Sequence, residues 1–326
     1  MNNKDLISVI IPVKNGLSTI RRCLDSLLSQ TVAAHMEIII VDSGSTDGTL
    51  DVLKNYPVRL FGIPPETFNH GLTRNYGVRQ AGGSLIYLTV QDSWQKDNTN
   101  LEKMRQHFDD PMVAGVCGVQ GIPAGPEFDP VHGHAPIDDP SVQWIHFPDE
   151  ESFEARNPQQ QATVCAWDDV NAMYRKDALE KFPFPETDFA EDIAWAKAAL
   201  RNGMILVKDS GAVVYHYHYR SFSYALKINL TYHYHVYRLF HLHPSYPPVL
   251  TNIVKAAYRV TRSDTTKWSR KFQWLFHHVG AETGSWYAAF LFRMALRKKG
   301  GNKLADLYQY YCKTVPQGRL KGQDQV

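Results

Sequence analysis

Hydrophobic and polar positions along the first 220 residues predict strands and helices in turn. Ile7–Pro12 and Glu37–Asp42 are short β-branched runs bounded by turn residues, the pattern of strands buried on both faces. Between them, Leu17–Gln30 sets Ile20, Leu24, Leu27 and Leu28 at helical spacing. Thr46–Tyr56 reads as a second helix, Val58–Phe61 as a third strand, and Leu72–Gln80 as a helix ended by Gly82-Gly83. Ser84–Val90 is a fourth strand running into Gln91-Asp92-Ser93. Farther on, Arg175–Phe182 and Phe189–Asn202 read as helices, and Met204–Val207 and Ala212–Tyr215 as strands. This alternation predicts an α/β domain with a mostly parallel sheet, flanked by helices and joined by right-handed crossovers. Ligands of such sheets bind at the carboxyl ends of the strands. Asn15, Asp42 and Asp92 all fall just past predicted strand ends.

Two stretches break the pattern. Residues 121–162 are rich in Pro, Asp and His and predict a long irregular loop of the kind that carries function. After Tyr219 the chain turns to Tyr, Phe, Trp, His, Lys and Arg, interrupted at Pro244 and Pro247-Pro248, which predicts amphipathic helices. Residues 1–219 are therefore expected to form the α/β domain and residues 220–326 a basic, aromatic-rich helical region.

Composition sharpens this picture. Of 326 residues, 44% are hydrophobic and 21% charged, which excludes wholesale disorder. The four cysteines, Cys23, Cys117, Cys165 and Cys312, form no CxxC pair, so a reducing cytosol is expected rather than a disulfide framework or zinc knuckle. The amino terminus enters its first strand without a signal-peptide core, and the apolar run Trp286–Phe292 is far short of the roughly 20 residues of a membrane span. The net charge of +2 conceals an asymmetry: residues 220–326 hold 17 Lys/Arg against 4 Asp/Glu, residues 1–219 hold 18 against 29. Such a split predicts a basic arm that meets an anionic surface.

Several residues carry candidate chemistry. Asp42-Ser43-Gly44-Ser45-Thr46-Asp47-Gly48 follows a strand and opens a helix, so it serves either as an N-capped turn or as a cradle in which Asp42 accepts the imide N–H of a pyrimidine. Asp92 ends an apolar strand and suits a hard divalent cation bound to diphosphate, the bland alternative being a solvated carboxylate. Glu191-Asp192 opens a predicted helix; adjacent helical carboxylates point about 100° apart, so one can take a proton while the other holds a hydroxyl or a basic residue. Their plain alternative is service to the helix dipole. His216 and His218 share one face of a strand, compatible with a metal and equally with two surface histidines.

Taken together these pieces resemble the family 2 glycosyltransferases, whose GT-A fold is Rossmann-like. The resemblance rests on Ser8-Val9-Ile10-Ile11-Pro12-Val13-Lys14-Asn15 and on Val41-Asp42-Ser43-Gly44-Ser45-Thr46-Asp47. Phe68-Asn69-His70-Gly71-Leu72-Thr73-Arg74-Asn75, Gln91-Asp92-Ser93, Phe189-Ala190-Glu191-Asp192-Ile193-Ala194-Trp195-Ala196 and Val214-Tyr215-His216-Tyr217-His218 are similar to the bacterial rhamnosyltransferases of O-antigen and capsule assembly. The likeness covers roughly residues 6–220 and includes order as well as content.

The resemblance implies an inverting, metal-dependent transfer of a sugar from a dTDP- or UDP-linked donor to a hydroxyl of a growing glycan, on an acceptor that can be polyprenyl-diphosphate-linked. It implies Asp192 as base with Glu191 beside it. It implies a donor site of Pro12, Val13, Asn15, Asp42, Asn69, Arg74, Gln91, Asp92, Ser93 and Asn171, with Mn²⁺ or Mg²⁺ on Asp92 and His216. Arg74 is expected at the phosphates, its alternative being an ion pair with a nearby carboxylate. Val90-Gln91-Asp92 stands where the family usually has Asp-x-Asp, so the first carboxylate of that motif is missing. That loss alone supports a rival reading as a silent, glycan-binding member of an assembly complex. A nucleotidyltransferase would need a Gly-rich triphosphate loop, which Pro12-Val13-Lys14-Asn15-Gly16 does not supply. Nucleic acid is not an expected partner.

His132, His134, Trp144 and Trp167 are read as an acceptor wall or, for the tryptophans, as core. Residues 220–300, with interleaved cations and aromatics, predict peripheral docking on an anionic inner membrane face, the alternative being contact with the catalytic domain or a second subunit in a homodimer.

Overall fold

The computed structural model describes residues 6–123, 125, 128–131, 140–297 and 303–312. The chain divides into two compact units, one drawn from Met1–Gly121 and Pro136–His216, the other from Ile122–Ala135 and Tyr217–Val326. This division falls three residues before the boundary read from composition. It also sends a short segment after residue 121 to the second unit, a long-range assignment that composition does not encode.

The first unit runs β1 (Ile7–Val13), α1 (Ile20–Leu28), β2 (Met36–Asp42), α2 (Thr49–Leu53), β3 (Val58–Gly62), α3 (His70–Gln80), β4 (Leu85–Leu88) and β5 (Trp94–Gln95). It continues through α4 (Asn100–Gln106), β6 (Val113–Gly121), β7 (Val142–Ile145), α5 (Glu150–Glu154), α6 (Pro158–Val164), β8 (Ala172–Arg175), α7 (Lys176–Lys181), α8 (Glu191–Arg201) and β9 (Ile205–Tyr215). The strands form one sheet in the order β3-β2-β1-β4-β8-β6-β9-β5, with β7 paired to β9. Pairing is parallel over β3-β2-β1-β4 and between β6 and β9, and antiparallel where β8, β5 and β7 join. The sheet is thus mixed, with its parallel part where the βα alternation is strongest.

β1 is central and apolar on both faces. Ile7, Val9, Ile11 and Val13 enter one core with Leu24 and Leu27 of α1 and Ile38 and Ile40 of β2. Burying such side chains contributes about 1.5–3 kcal/mol each, so the first βαβ unit is strongly specified by its sequence.

Residues 121–162, expected to be irregular, contain β7, α5 and α6. Both helices begin at capping boxes, Asp149 with Ser152 and Asn157 with Gln160, with Pro158 opening α6. The separate strands expected at Met204–Val207 and Ala212–Tyr215 are one strand, β9, whose polar middle pairs with β7. β6 escaped pattern reading because Gly115, Gly118 and Gly121 interrupt its apolar run.

The second unit contains α9 (Phe222–Phe240), α10 (Val249–Arg262), α11 (Trp268–Arg297) and α12 (Lys303–Tyr311). Leu226 and Leu230 of α9 pack on Ala288 and Phe292 of α11 and Tyr308 of α12. Gly284 permits the close approach, since a Cβ there would lie 2.5 Å from the Phe222 carbonyl oxygen. A second cluster joins Val131 and Tyr217 to Ala256, Val260 and Trp274.

Candidate active site

The carboxyl ends of β1, β2 and β4 are neighbours because β1 lies between the other two strands. Chain order reverses across β1, and ligands of open α/β sheets bind at such a reversal. The loops leaving these strands are laced together. Asn15 donates its N–H to Ser45 Oγ at 2.8 Å and accepts at Oδ1 from the Thr46 N–H at 2.9 Å. Leu17 N–H donates to Asp47 Oδ2 at 3.0 Å. Gln91 clasps the Lys14 backbone from both sides, accepting its N–H at 2.9 Å and donating to its carbonyl at 3.0 Å. Asn15 holds φ 51°, a left-handed conformation that Asn tolerates better than most residues. Asp42 is buried, and its carboxylate accepts from the Gly44 and Ser45 amides at 2.9 and 3.0 Å. Its Oδ1 also accepts from the Ser45 hydroxyl at 2.5 Å, so the turn itself engages both carboxylate oxygens.

Asp92, half-buried after β4, faces His216 after β9: Nε2 lies 3.4 Å from Asp92 Oδ1. The tautomer of His216 follows from its neighbours. Gln120 donates its amide N–H₂ to Asp168, a carboxylate that can only accept, so its Oε1 faces His216 Nδ1 at 2.7 Å. Nδ1 therefore carries a proton, and Nε2 is the ring atom that faces Asp92. An imidazole lone pair beside a carboxylate repels unless a cation or a proton lies between them. An outer amide that fixes the imidazole is also how metal-binding histidines are commonly held. The residues present therefore fit a divalent cation. His218 belongs to the second unit.

Acidic chemistry concentrates at α8. Glu191 is buried and ion-paired with Arg74 of α3, whose Nε lies 3.3 Å from Asp169 Oδ2. Asp169 accepts from the Tyr174 hydroxyl, which accepts from Trp167 Nε1–H at 2.7 Å. Gly71 lets α3 approach, because a Cβ there would lie 2.7 Å from the Pro185 carbonyl oxygen and 3.4 Å from Glu191 Cβ. Ala190, just before the carboxylates, holds φ 64°, a conformation costing an alanine about 1–2 kcal/mol. Backbone strain of this kind clusters at functional positions.

Burial, then the negative charges of Glu191, Asp169 and Asp168, hold the Asp192 carboxyl well above the ordinary carboxylate range, against the pull of Arg74. Burial likewise pushes Asp169 up to about 7, Arg74 opposing and Glu191 reinforcing.

The structure thus brings Asn15, Asp42, Gln91 and Asp92 together with His216, and Glu191 and Asp192 with Arg74. Other expected residues stand elsewhere. Arg74 is buried between two carboxylates, the ion pair weighed as its alternative role, because charge in a dry interior needs compensation. Asn171, expected beside the donor sugar, is a core residue: it accepts from the Tyr87 hydroxyl at 2.9 Å and donates to the Ala212 carbonyl at 3.0 Å. Ser93 is buried, its hydroxyl 2.7 Å from Thr89 Oγ1. Val13 points into the core, so only its backbone and half-buried Pro12 line the loop side. Asn69 caps α3, accepting from Leu72 N–H at 3.1 Å and donating to the Thr187 carbonyl at 2.8 Å. Trp167 is core, packed on Trp195, and Trp144 lies half exposed on β7; His132 and His134 lie outside the described residues.

Three contributors went unread. Asp168 and Asp169 gave a signal, adjacent carboxylates before a strand. Gln120 gave none.

The model of the glycosyl transferase family 2 matches residues 8–182. The chain is 30% identical over 218 residues to the O-antigen chain rhamnosyltransferase RfbN of Salmonella typhimurium, covering 64% of this chain and 66% of that protein. It is 40% identical over 86 residues to the O-antigen chain rhamnosyltransferase WbaN of Salmonella anatum, 26% of this chain and 27% of that one. The match thus spans less than two thirds of either relative. Among solved structures, S. aureus TarS 1–349 superposes with a TM-score of 0.54 at 17% identity, covering 95% of this chain and 81% of that one. Its complex with UDP-GlcNAc gives 0.52 at 18% identity, covering 95% and 82%. These neighbours establish a glycosyltransferase fold of GT-A type.

Proposed function

The chain belongs to glycosyl transferase family 2, and from that membership we propose that it moves rhamnose from a nucleoside diphosphate donor to a hydroxyl of a growing bacterial surface polysaccharide, inverting the anomeric carbon. The observation that carries this reading is the pairing of His216 Nε2 with Asp92 at the carboxyl end of the sheet's strands, with Gln120 holding Nδ1 from behind. Rhamnose is favoured by the two similar proteins named as O-antigen chain rhamnosyltransferases, and dTDP is the nucleotide expected with it. A UDP-sugar is the second donor reading, since the solved neighbour TarS is a complex with UDP-GlcNAc. The acceptor in this reading is a glycan carried on a polyprenyl diphosphate.

In this mechanism Asp42 receives the pyrimidine edge, while the Asn15 and Ser45 loops hold base and ribose. Asp92 and His216 would hold Mn²⁺ or Mg²⁺, which supplies counter-charge to the departing diphosphate. Asp192 takes the proton of the acceptor hydroxyl as its oxygen bonds to the anomeric carbon and the bond to the diphosphate oxygen breaks. A raised pKa makes Asp192 a stronger base once ionised. Glu191, fixed by Arg74, positions Asp192 and sustains that pKa. Replacing Asp192 by Asn is expected to lower turnover at least 10³-fold while nucleotide binding, followed by calorimetry, stays near wild type. A screen of nucleotide sugars with and without Mn²⁺ identifies the donor, and equal transfer by the Asn variant removes Asp192 from the mechanism.

No helix among the described residues is long and apolar enough to cross a membrane. The reading includes peripheral attachment to the inner face of the cytoplasmic membrane. In its support, Leu250, Val254 and Tyr258 of α10 and Trp268, Phe272 and Phe276 of α11 are 57–80% exposed at four-residue spacing. Lys255, Arg259, Arg262, Lys267 and Arg270 accompany them, with Asp264 the acidic residue between the helices. Rings at headgroup level with cations on anionic lipid suit this composition. Co-sedimentation with anionic vesicles that weakens at high salt is the expected result; salt-insensitive dimerisation through these side chains would assign the face to a homodimer instead.

A further inference from the structure

The second unit encloses a grouping that the transfer reaction does not use. Asp129, in the segment that follows β6, meets His277 and His278 of α11. All three side chains are at most 1% exposed, and one donor atom of each lies within 4.8 Å of the others. His278 Nε2 is 3.0 Å from Asp129 Oδ1, and His277 Nε2 is 3.6 Å from Oδ2. The Val131 N–H donates to Oδ1 at 2.9 Å and fixes the carboxylate. The Tyr219 ring lies tilted on His277 with centroids 4.3 Å apart, and Trp274 meets its edge at 5.3 Å, so aromatic faces close the surroundings.

We propose that Asp129, His277 and His278 bind a zinc-class divalent cation that ties the segment after β6 to α11. Two imidazole nitrogens with one carboxylate oxygen form a donor set typical of Zn²⁺, whereas Mg²⁺ and Ca²⁺ favour oxygen alone. Zinc bonds of 2.0–2.1 Å in tetrahedral array hold their donors about 3.3 Å apart, and each imidazole Nε2 lies near that distance from its own carboxylate oxygen, 3.0 Å from Oδ1 and 3.6 Å from Oδ2. The competing arrangement has both imidazoles donate Nε2–H to the carboxylate. It accounts well for the 3.0 Å contact; the 3.6 Å separation is longer than a hydrogen bond and falls within ion-pair range. Enclosure argues for a structural cation rather than a reacting one, because a substrate has no path to a group this buried. It is distinct from Asp92 and His216, which belong to the first unit and are partly open.

The test uses the full chain stripped of metal and titrated with Zn²⁺ and, separately, Co²⁺. Wild type is expected to retain about one Zn²⁺ per chain by elemental analysis after desalting, and Asp92→Ala to retain the same amount. His277→Ala/His278→Ala and the near-isosteric Asp129→Asn are expected to lose at least 10-fold in affinity. Co²⁺ should give intense visible absorption of a tetrahedral site in wild type, a readout that needs no variant. Zinc should raise the melting midpoint of wild type by about 5 °C or more and leave that of folded Asp129→Asn unchanged. Zinc retained equally by wild type and Asp129→Asn, or no retained zinc with no tetrahedral Co²⁺ spectrum, overturns the proposal and leaves a hydrogen-bonded cluster.

Discussion

Asp92 with His216 and Asp129 with His277 and His278 pair the same side-chain types in surroundings that differ throughout. In the first unit the carboxylate is 21% and the imidazole 12% exposed, and Gln120 and Asp168 set the tautomer from behind. In the second unit the cluster is sealed by aromatic rings. An open pair can receive a diphosphate; a sealed one can only hold chain segments together. Burial, more than residue type, sets what each grouping can do under the two readings proposed above.

The largest effect expected is a crossing of phenotypes. Asp92→Ala should lower sugar transfer about 10²–10³-fold, the usual cost of losing one electrostatic contact to developing charge, with the melting midpoint nearly unmoved. Asp129→Ala should do the opposite, since removing one partner from a buried charged cluster costs about 3–5 kcal/mol, while turnover per folded molecule is kept. Parallel denaturation and steady-state assays check this, and matching profiles for the two variants would break the distinction.

Next comes the fixed tautomer. Gln120→Leu should raise the Mn²⁺ concentration for half-maximal activity about 10–100-fold, with much of the rate recovered at saturating metal. Zinc retention by the Asp129, His277 and His278 grouping should not respond to this substitution.

The pH profile gives a smaller signal. Asp192 acts only when ionised, and its pKa is held above the ordinary value of about 4, so kcat/KM should rise with pH along an acid limb displaced upward. Glu191→Gln removes a negative neighbour and should move that limb to lower pH; an unmoved limb would detach the titration from Glu191. The smallest effect belongs to Ala190→Gly, which should stabilise the chain by about 0.5–1 kcal/mol in urea titration by relieving φ 64°.

The parallel core was legible in the chain because β1, β2 and β4 are buried on both faces and α1 keeps its apolar residues at helical spacing. β5, β7 and β8 have two to four residues each, too few for a period to register. Asn15, Asp42 and Asp92 could be placed past strand ends because the βα alternation locates those ends, and Glu191-Asp192 could be placed at the start of a helix, α8. Asn69, Arg74 and Asn171 matched a motif just as well and yet serve a cap, an ion pair and the core. A motif records residue type and order, and says nothing of what lies across the interior.

The sequence by itself determined the family, the βα alternation, the positions past the strand ends and the basic character of the last third of the chain. The family follows from the resemblance of ordered motifs, and the rest from local periodicity and composition, which act over a few turns or residues. Only the tertiary structure decided that Gln120 orients His216, that Arg74 serves Glu191 and Asp169, and that Asp129 meets two histidines about 150 residues away. Each of these depends on which distant groups share a dry interior, where every charge and donor must find a partner and linear spacing carries no information about which one.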